Sequence, residues 1–368
     1  MTDAIGAPRF GTAADFALGV EEELILVDPD THALTHDAAA VLELMPDDAR
    51  VGEAKPDTYA AMIELATPVL RDADESARAL SQMRALVRAA GATTIGAGIH
   101  PTGAFGDVVH FDAPRYVRIV EQVRGLLSRT PTAALHVHVG MPDADTAIRV
   151  YNGLREQLPL LQALAANSPF WHGIDSGLAT ARAVLFRGYP RSEIPRAFSS
   201  YDDYAATVEG VITAGELDDY TFLWWDIRPH PRMGTVEVRA MDAQSDLRSV
   251  AGLAALVHGL ARAEVDRPPG DRLTRETLME ASFSASRDGL RARVPVDGSM
   301  RPIPEAAQIA LDRARPHAAE LGAADALEGV ERILADGNGA DRQRAAHARG
   351  GMPALLGLLV DEARRPYG

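Results

Sequence analysis

The run Gly19–Val27, GVEEELILV, alternates carboxylate and apolar side chains with the two-residue period of a β-strand. Val20 and Glu22 share one face, and Glu21 and Glu23 share the other. The apolar Leu24–Val27 follows directly, so the strand is expected to run from an acidic mouth into a core. Two carboxylates roughly 7 Å apart on one strand face repel each other unless something positive lies between them. A divalent cation meets that need; a solvated acidic rim avoids it. The alternation recurs downstream. Met62–Thr67 reads as a strand with Glu64 facing away from Ile63 and Leu65. Ala133–Gly140 sets His136 and His138 opposite Leu135, Val137 and Val139. Gly234–Asp242, GTVEVRAMD, sets Glu237 and Arg239 opposite Val236, Val238 and Ala240, and Thr221–Arg228 precedes it as the other arm of a hairpin turning at Pro229–Met233.

Helical periodicity fills the intervals. Asp74–Ala90 carries an apolar stripe and stops at Gly91; Pro114–Leu127 opens with a first-turn proline and presents Tyr116, Ile119, Val120, Val123 and Leu127. A short helix and loop are expected over 36–50, a further short strand over Thr93–Ile99, and helices over Thr146–Ala166 (interrupted or kinked at Pro159) and Asp202–Ala214. Asp246–Val265 is strongly apolar behind an Asp cap and is expected to lie buried against the sheet. The chain beyond residue 270 reads as helices at Thr274–Arg287, Pro304–Leu321, Ala324–Ala335 and Pro353–Arg364, with Asp336–Gly351 polar and mobile. Asn167–Pro195 is rich in Gly, Pro, Ser and aromatics and holds Arg182, Arg187 and Arg191, which marks it as a binding loop. The organisation that follows is a leader over residues 1–15 and one catalytic domain over 16–368, with a sheet-forming core to about 265 and a helical cover from about 270. The fold class is α+β: a curved, mostly antiparallel sheet around a metal site, backed by helices.

Composition narrows the chemistry. The chain has 368 residues, 46% hydrophobic and 24% charged, the balance of a globular protein with a substantial core. Its formal net charge of −15 argues against nucleic acid or an anionic membrane as partner. There is no cysteine, which removes disulfides, thiolate metal sites and a Cys nucleophile. No signal segment and no 18-residue apolar run is present, so the expected setting is the cytoplasm, with a homo-oligomer left open. Glu21, Glu23, Glu64 and Glu237, with His136 and Arg239, all face away from an apolar strand side. Several hard oxygen donors without thiolates suit Mg²⁺ or Mn²⁺. Metal beside arginine suits phosphoryl transfer from ATP, yet neither a Gly-x-x-x-x-Gly-Lys loop nor a kinase Gly-rich loop is found.

Taken in order and spacing, GVEEE, IELATP, LHVHVG, WDIRPHP and GTVEVRAMD resemble the type 2 glutamate–cysteine ligases, or YbdK-like carboxylate–amine ligases. The resemblance runs from about Phe16 to about Val265 and implies a glutamine synthetase-like catalytic sheet. It implies ATP-driven amide formation between a carboxylate, typically the γ-carboxyl of glutamate, and an amine such as that of cysteine, through an acyl phosphate on Mg²⁺ (or Mn²⁺). On that resemblance Glu21, Glu23, Asp57, Glu64, His136 and Glu237 are the expected metal ligands. His136, His138 and Arg239 are expected to approach the nucleotide phosphates, with Arg239, Glu21 and Glu237 central to catalysis. Arg182, Arg187 and Arg228 are the candidates for holding a substrate carboxylate, Arg182 matching the family's substrate arginine. Two other readings stay open: a guanidino kinase-like phosphotransferase on a related sheet, and a regulatory homologue that binds nucleotide or amino acid without ligase activity.

Overall fold

β1 (Leu18–Val27) runs near the middle of a seven-stranded sheet in the computed structural model, which describes residues 5–46, 51–267 and 272–368. On one side it pairs with β3 (Met62–Ala66), beyond which lies β2 (Glu53–Pro56); β4 (Thr93–Ile95) pairs with the far end of β1. On the other side follow β5 (Ala134–Gly140), β9 (Thr235–Asp242) and β8 (Ile227–His230), giving the order β2-β3-β1-β5-β9-β8 with every pairing antiparallel. Two small hairpins, β6–β7 (Phe170–Trp171 and Ile174–Asp175) and β10–β11 (Arg293–Val296 and Ser299–Pro302), stand apart.

One face of the sheet is apolar: Val20, Val137, Val139, Val236 and Val238 are each fully buried. Helices α4 (Ala144–Leu164) and α7 (Leu247–Asp266) lie against the sheet, and α7 is in turn enclosed by α2 (Ala73–Ala89), α9 (Ile303–Glu320) and α10 (Glu328–Asp336). A helix apolar on nearly all sides is stable only inside such a sandwich. The remaining helices are α1 (Ala38–Leu44), α3 (Pro114–Val123), α5 (Ala181–Phe186), α6 (Tyr201–Gly215), α8 (Arg275–Asp288) and α11 (Gly339–Arg364). Side-chain caps close the starts of several: Asp72 accepts from the Glu75 N–H, Asp143 from Thr146, Ser200 from Asp203 and Asp246 from Arg248. No helix among the described residues is long and apolar enough to cross a membrane.

Glu22 shows what the helix-facing side of β1 demands. It is buried and is clamped by Arg84 of α2 through Nε at 2.8 Å and Nη2 at 2.6 Å. The same guanidinium donates to the Ser245 and Gln244 carbonyls ahead of α7. The middle carboxylate of the acidic triplet therefore fastens α2 and α7 to β1 and belongs to the scaffold.

Four expectations need correction. Thr221–Arg228 is not one strand: Tyr220–Phe222 forms a 3₁₀ turn and pairing starts only at Ile227, moving the hairpin turn to 231–234. That turn needs Gly234, whose φ is +68° and where a Cβ would lie 2.4 Å from the Arg9 carbonyl. Asp336–Gly351 is helical rather than loose. Asn338 caps α11 by accepting from the Asp341 N–H, and Gln343 is buried with its amide donating to Asn167, so tertiary contacts order a segment that lacks an apolar stripe. The helix breaks at Gly350 and Gly351, one turn before the expected start at Pro353. Pro159 does not interrupt α4. The leader, over its described part, is docked: Ile5 is buried, Arg9 N–H donates to the Pro231 carbonyl and Gly11 N–H to that of Met141. Residues 1–4 of the leader and 47–50 of the expected helix and loop lie outside the described residues.

Candidate active site

Strand register brings the polar faces of six strands together. Glu23 on β1 lies directly opposite Glu64 on β3, and Glu64 opposite Lys55 on β2. Glu21 lies opposite His136 on β5; His138 lies opposite Glu237 on β9, which lies opposite Arg228 on β8. Between β5 and β9 the register slips, so that Arg239 and Ala240 together face His136. Such a bulge re-aims side chains and shifts the alternation by one residue. Arg239 keeps its place beside Glu237, as an ion pair through Nη1, while Asp242 comes within 3.8 Å of Arg182. Strict alternation had put Asp242 on the apolar face.

The tightest group of donors is Glu21, His138 and Glu237, whose ligand atoms all lie within 4.8 Å of one another. His138 Nδ1 is engaged by the Thr235 hydroxyl at 3.1 Å, but Nε2 is buried and has no hydrogen-bond partner among the described residues. That nitrogen is 3.6 Å from Glu21 and 3.8 Å from Glu237. A buried ring nitrogen between two carboxylates, with no hydrogen-bond partner among the described residues, makes with them a donor set that could hold a cation. Burial alone would raise both carboxyls; instead His138, His136 and Lys55 hold Glu21 well below its usual range, and Arg228 and Arg239 do the same for Glu237. Both are therefore ionised and able to ligate. The donor set is rich in hard oxygen and fits Mg²⁺ or Mn²⁺.

His136 is placed differently from the ligand role expected of it. Its Nδ1 meets Glu21 at 3.3 Å and its Nε2 lies 3.7 Å from Glu23, so it links the two β1 carboxylates. Burial and the nearby Arg239 lower its pKa to about 4, leaving a neutral ring. His138, expected at the nucleotide, has its Nε2 between Glu21 and Glu237, where it could ligate a cation.

Glu23, Glu64 and Asp57 form a second acidic group. Burial and then Asp57 push Glu23 up to about 8; burial and then Glu21 raise Glu64, and burial raises Asp57. Positive charge nearby favours the ionised form of all three carboxyls. Part of it is built in: Lys55 Nζ is 3.0 Å from Glu64 and 3.7 Å from Glu21. Sequence reading passed over Lys55 because β2 is short and lacks an apolar alternation; the one signal was a lysine two residues before Asp57.

A pocket opens beside this floor. Glu23, Asp57, His136, Arg182 and Arg239 form its polar side. The Nε atoms of Arg182 and Arg239 are buried and without partners among the described residues, so two guanidiniums keep donors free for an anion. Arg182 stands on α5, not in a loop, and is steadied by Asp242, which itself accepts from Asn167, Ser168 and Thr180. Two other arginines are corrected. Arg228 is spent on Glu237, at 2.5 Å through Nε, and on the Leu223 carbonyl, so it positions a carboxylate and does not line the pocket. Arg187 turns toward α8, donating to the Ser282 hydroxyl at 2.5 Å, with Asp226 at 3.8 Å. Arg191 donates to the Phe222 carbonyl and to Gln122.

The likeness to known proteins covers the whole site. A model of glutamate–cysteine ligase family 2 matches residues 17–357. A glutamate–cysteine ligase of Haloquadratum walsbyi is 33% identical over 365 residues, covering 95% of this chain and 96% of that protein. One from Haloferax volcanii is 38% identical over 289 residues, covering 76% and 79%. Among solved structures, a Francisella tularensis glutamate–cysteine ligase in complex with AMP superposes with a TM-score of 0.69 at 15% identity, over 95% of this chain and 88% of that one. The last shows the shared fold; the sequence matches, running through every strand that carries the site, show that this chain belongs to glutamate–cysteine ligase family 2.

Proposed function

We propose that the protein is an ATP-dependent carboxylate–amine ligase that forms an amide through an acyl phosphate, with a glutamate-like γ-carboxylate as donor and an amino-acid amine, such as that of cysteine, as acceptor. The reading rests on one arrangement: a candidate cation site at Glu21, His138 and Glu237, adjoining a pocket lined by Arg182 and Arg239, whose Nε atoms are buried without partners among the described residues.

When bound, the cation supplies positive charge that offsets the repulsion between the donor carboxylate and the triphosphate. The chain's own residues do the remaining work. Arg228 fixes Glu237. Arg239, ion-paired with Glu237 yet with Nε free, stabilises charge on the transferring phosphoryl, whose transition state is governed by positioning and electrostatics. Arg182 holds a substrate carboxylate. The donor carboxylate oxygen attacks the γ-phosphorus as the bond to ADP breaks. The amine nitrogen then attacks the acyl carbon, and phosphate leaves with the electron pair of the broken carbon–oxygen bond while the nitrogen gives up a proton. No protein nucleophile is required, in keeping with the absence of cysteine.

The test is ADP release with Mg²⁺, presenting carboxylates and amines singly and in pairs with mass detection of the product. Release should need both partners and millimolar Mg²⁺ or Mn²⁺, and should vanish in EDTA. Release with a carboxylate or guanidine alone, yielding a stable phosphorylated product, would make the protein a phosphotransferase.

A further inference from the structure

The chain holds 37 lysine and arginine residues, and Lys55 is the single lysine among them. At every other basic position, exposed or buried, the chain uses arginine. The exception stands beside the candidate cation site. Its ammonium lies 3.0 Å from Glu64 Oε1 and 3.7 Å from Glu21 Oε1. The lysine side chain is 33% exposed, and the two carboxylate side chains are 14% and 13% exposed, so the contact is largely shielded from water. No other lysine or arginine among the described residues pairs with Glu64.

The order of the strands makes this a long reach. Lys55 lies opposite Glu64 of β3, while Glu21 belongs to β1 on the far side of β3. The lysine therefore extends across a whole strand, and the backbones it joins are about 10 Å apart. An unbranched stem with a compact charge at its tip can settle between two carboxylates, whereas a guanidinium presents a planar fork suited to one. Glu21 divides its two oxygens. Oε2 faces His136 Nδ1 at 3.3 Å and His138 Nε2 at 3.6 Å, and Oε1 faces the lysine. Lys55 thus fills the gap between the two acidic groups, on the other oxygen of Glu21 from His138.

We propose that Lys55 is a positioning residue that stands in for a second cation: its ammonium occupies the gap between Glu21 and Glu64, so that the protein without ATP takes up a divalent cation at Glu21, His138 and Glu237 alone. This rests on the cation site of the ligase reading above. Two carboxylates that face one gap attract a cation, and a lysine already in place meets that attraction without an ion from solution. It also holds Glu21 with Oε2 turned to His138. Any further Mg²⁺ then has to arrive with the triphosphate.

The experiment counts Mn²⁺ bound to the intact, nucleotide-free protein after EDTA stripping, from the loss of the free-ion EPR signal. Salt at about 0.15 M screens scattered surface carboxylates. The parent should bind one ion per chain and Lys55→Met two, because methionine keeps an unbranched stem and removes the charge. A parent that already binds two, or a variant that stays at one, overturns the proposal and leaves the cation site in place. A parent that binds none overturns the proposal together with the cation site, while ADP release judges the ligase reading separately. If Lys55→Met does not fold, the parent decides, since its single lysine makes amine labelling unambiguous. Reductive methylation, with mass detection of the peptide that holds Lys55, should be no greater with Mn²⁺ than without. A severalfold rise on adding Mn²⁺ would show the ion displacing the lysine and would overturn the proposal.

Discussion

At the scale of single residues, Glu21, His138 and Glu237 are proposed for the cation, Arg239 for developing charge and Arg228 for holding Glu237. Glu21→Gln removes a charge that His138, His136 and Lys55 stabilise in the folded state, so the fold should survive with an unfolding midpoint below that of the parent. Turnover should fall by at least about a hundredfold, the scale of losing one electrostatic stabiliser. Near-normal kcat in steady-state assays would make β1 a mere acidic rim. The two pocket arginines should fail differently. Arg239→Lys keeps charge but loses the planar fork, and should depress kcat with every amine tested. Arg182→Ala removes a contact made equally to substrate and transition state, so it should chiefly raise KM for one substrate. Kinetic constants for ATP, glutamate and the best amine in both variants check this. A silent Arg239→Lys would reduce the Glu237–Arg239 pair to a salt bridge, and unchanged KM values in Arg182→Ala would remove its substrate role.

At the scale of elements, two features that alternation does not describe set the site. One is the β9 bulge, which keeps Arg239 beside Glu237 while delivering Asp242 to Arg182. The other is the Glu22–Arg84 clamp, which spends one of three consecutive carboxylates on locking β1 to α2 and to the segment before α7. Breaking one partner of a buried pair leaves the other charge unpaired, which costs about 3–5 kcal/mol, whereas replacing both by apolar residues of similar volume is near neutral or stabilising. Arg84→Met should therefore lower stability by about that amount in urea titrations, and Glu22→Leu combined with Arg84→Met should recover most of it. Equal losses in the single and double variants would mean that packing of the arginine stem, not charge, is what matters. Lys55 belongs at this scale too. It reaches Glu64 and Glu21 only because β2 pairs at the sheet edge in one register, and no local pattern announced that register.

For the molecule as a whole, buried neutral histidines couple stability to pH. His100, 1% exposed, donates from Nε2 to the His32 carbonyl at 2.9 Å and accepts the Thr102 N–H at Nδ1. A second ring proton would face a donor, and burial lowers the pKa to about 4. Between about pH 4 and 6.5 the unfolded chain binds a proton at this ring that the folded one refuses, so the contribution of His100 to stability rises with pH over that window and is lost as pH falls through it. Integrated, the effect is on the order of 3 kcal/mol. Denaturant unfolding of the parent and of His100→Gln at steps from pH 4 to 7 should show a stability difference that changes by about that amount across the window; an unchanged difference would mean that the ring is protonated in the folded state.

Much of this architecture is a property of the chain read locally. The two-residue alternation of β1, β3, β5 and β9 and the apolar stripes of α2, α3 and α7 are short-range patterns, because side-chain period and burial are both local consequences of backbone geometry. The same alternation marked Glu21, Glu23, Glu64, His136 and Glu237 as facing away from the core. Local pattern is blind to register and to partners distant in sequence. Which histidine meets Glu21 and Glu237 was decided by how β1, β5 and β9 align, and that favours His138 for the cation and leaves His136 bridging Glu21 and Glu23. Arg228 and Arg187 have the chemistry of substrate clamps, but buried Arg228 satisfies its charge on Glu237, and half-buried Arg187 turns to Ser282 and Asp226. Residues 339–349 look like loop in sequence and are helix in the structure, since Asn338, Gln343 and Asn167 supply from a distance what an apolar stripe would have supplied nearby. The sequence by itself determined the elements and the chemical inventory; tertiary structure decided the pairing of charges, because electrostatic partners are chosen through space and not along the chain.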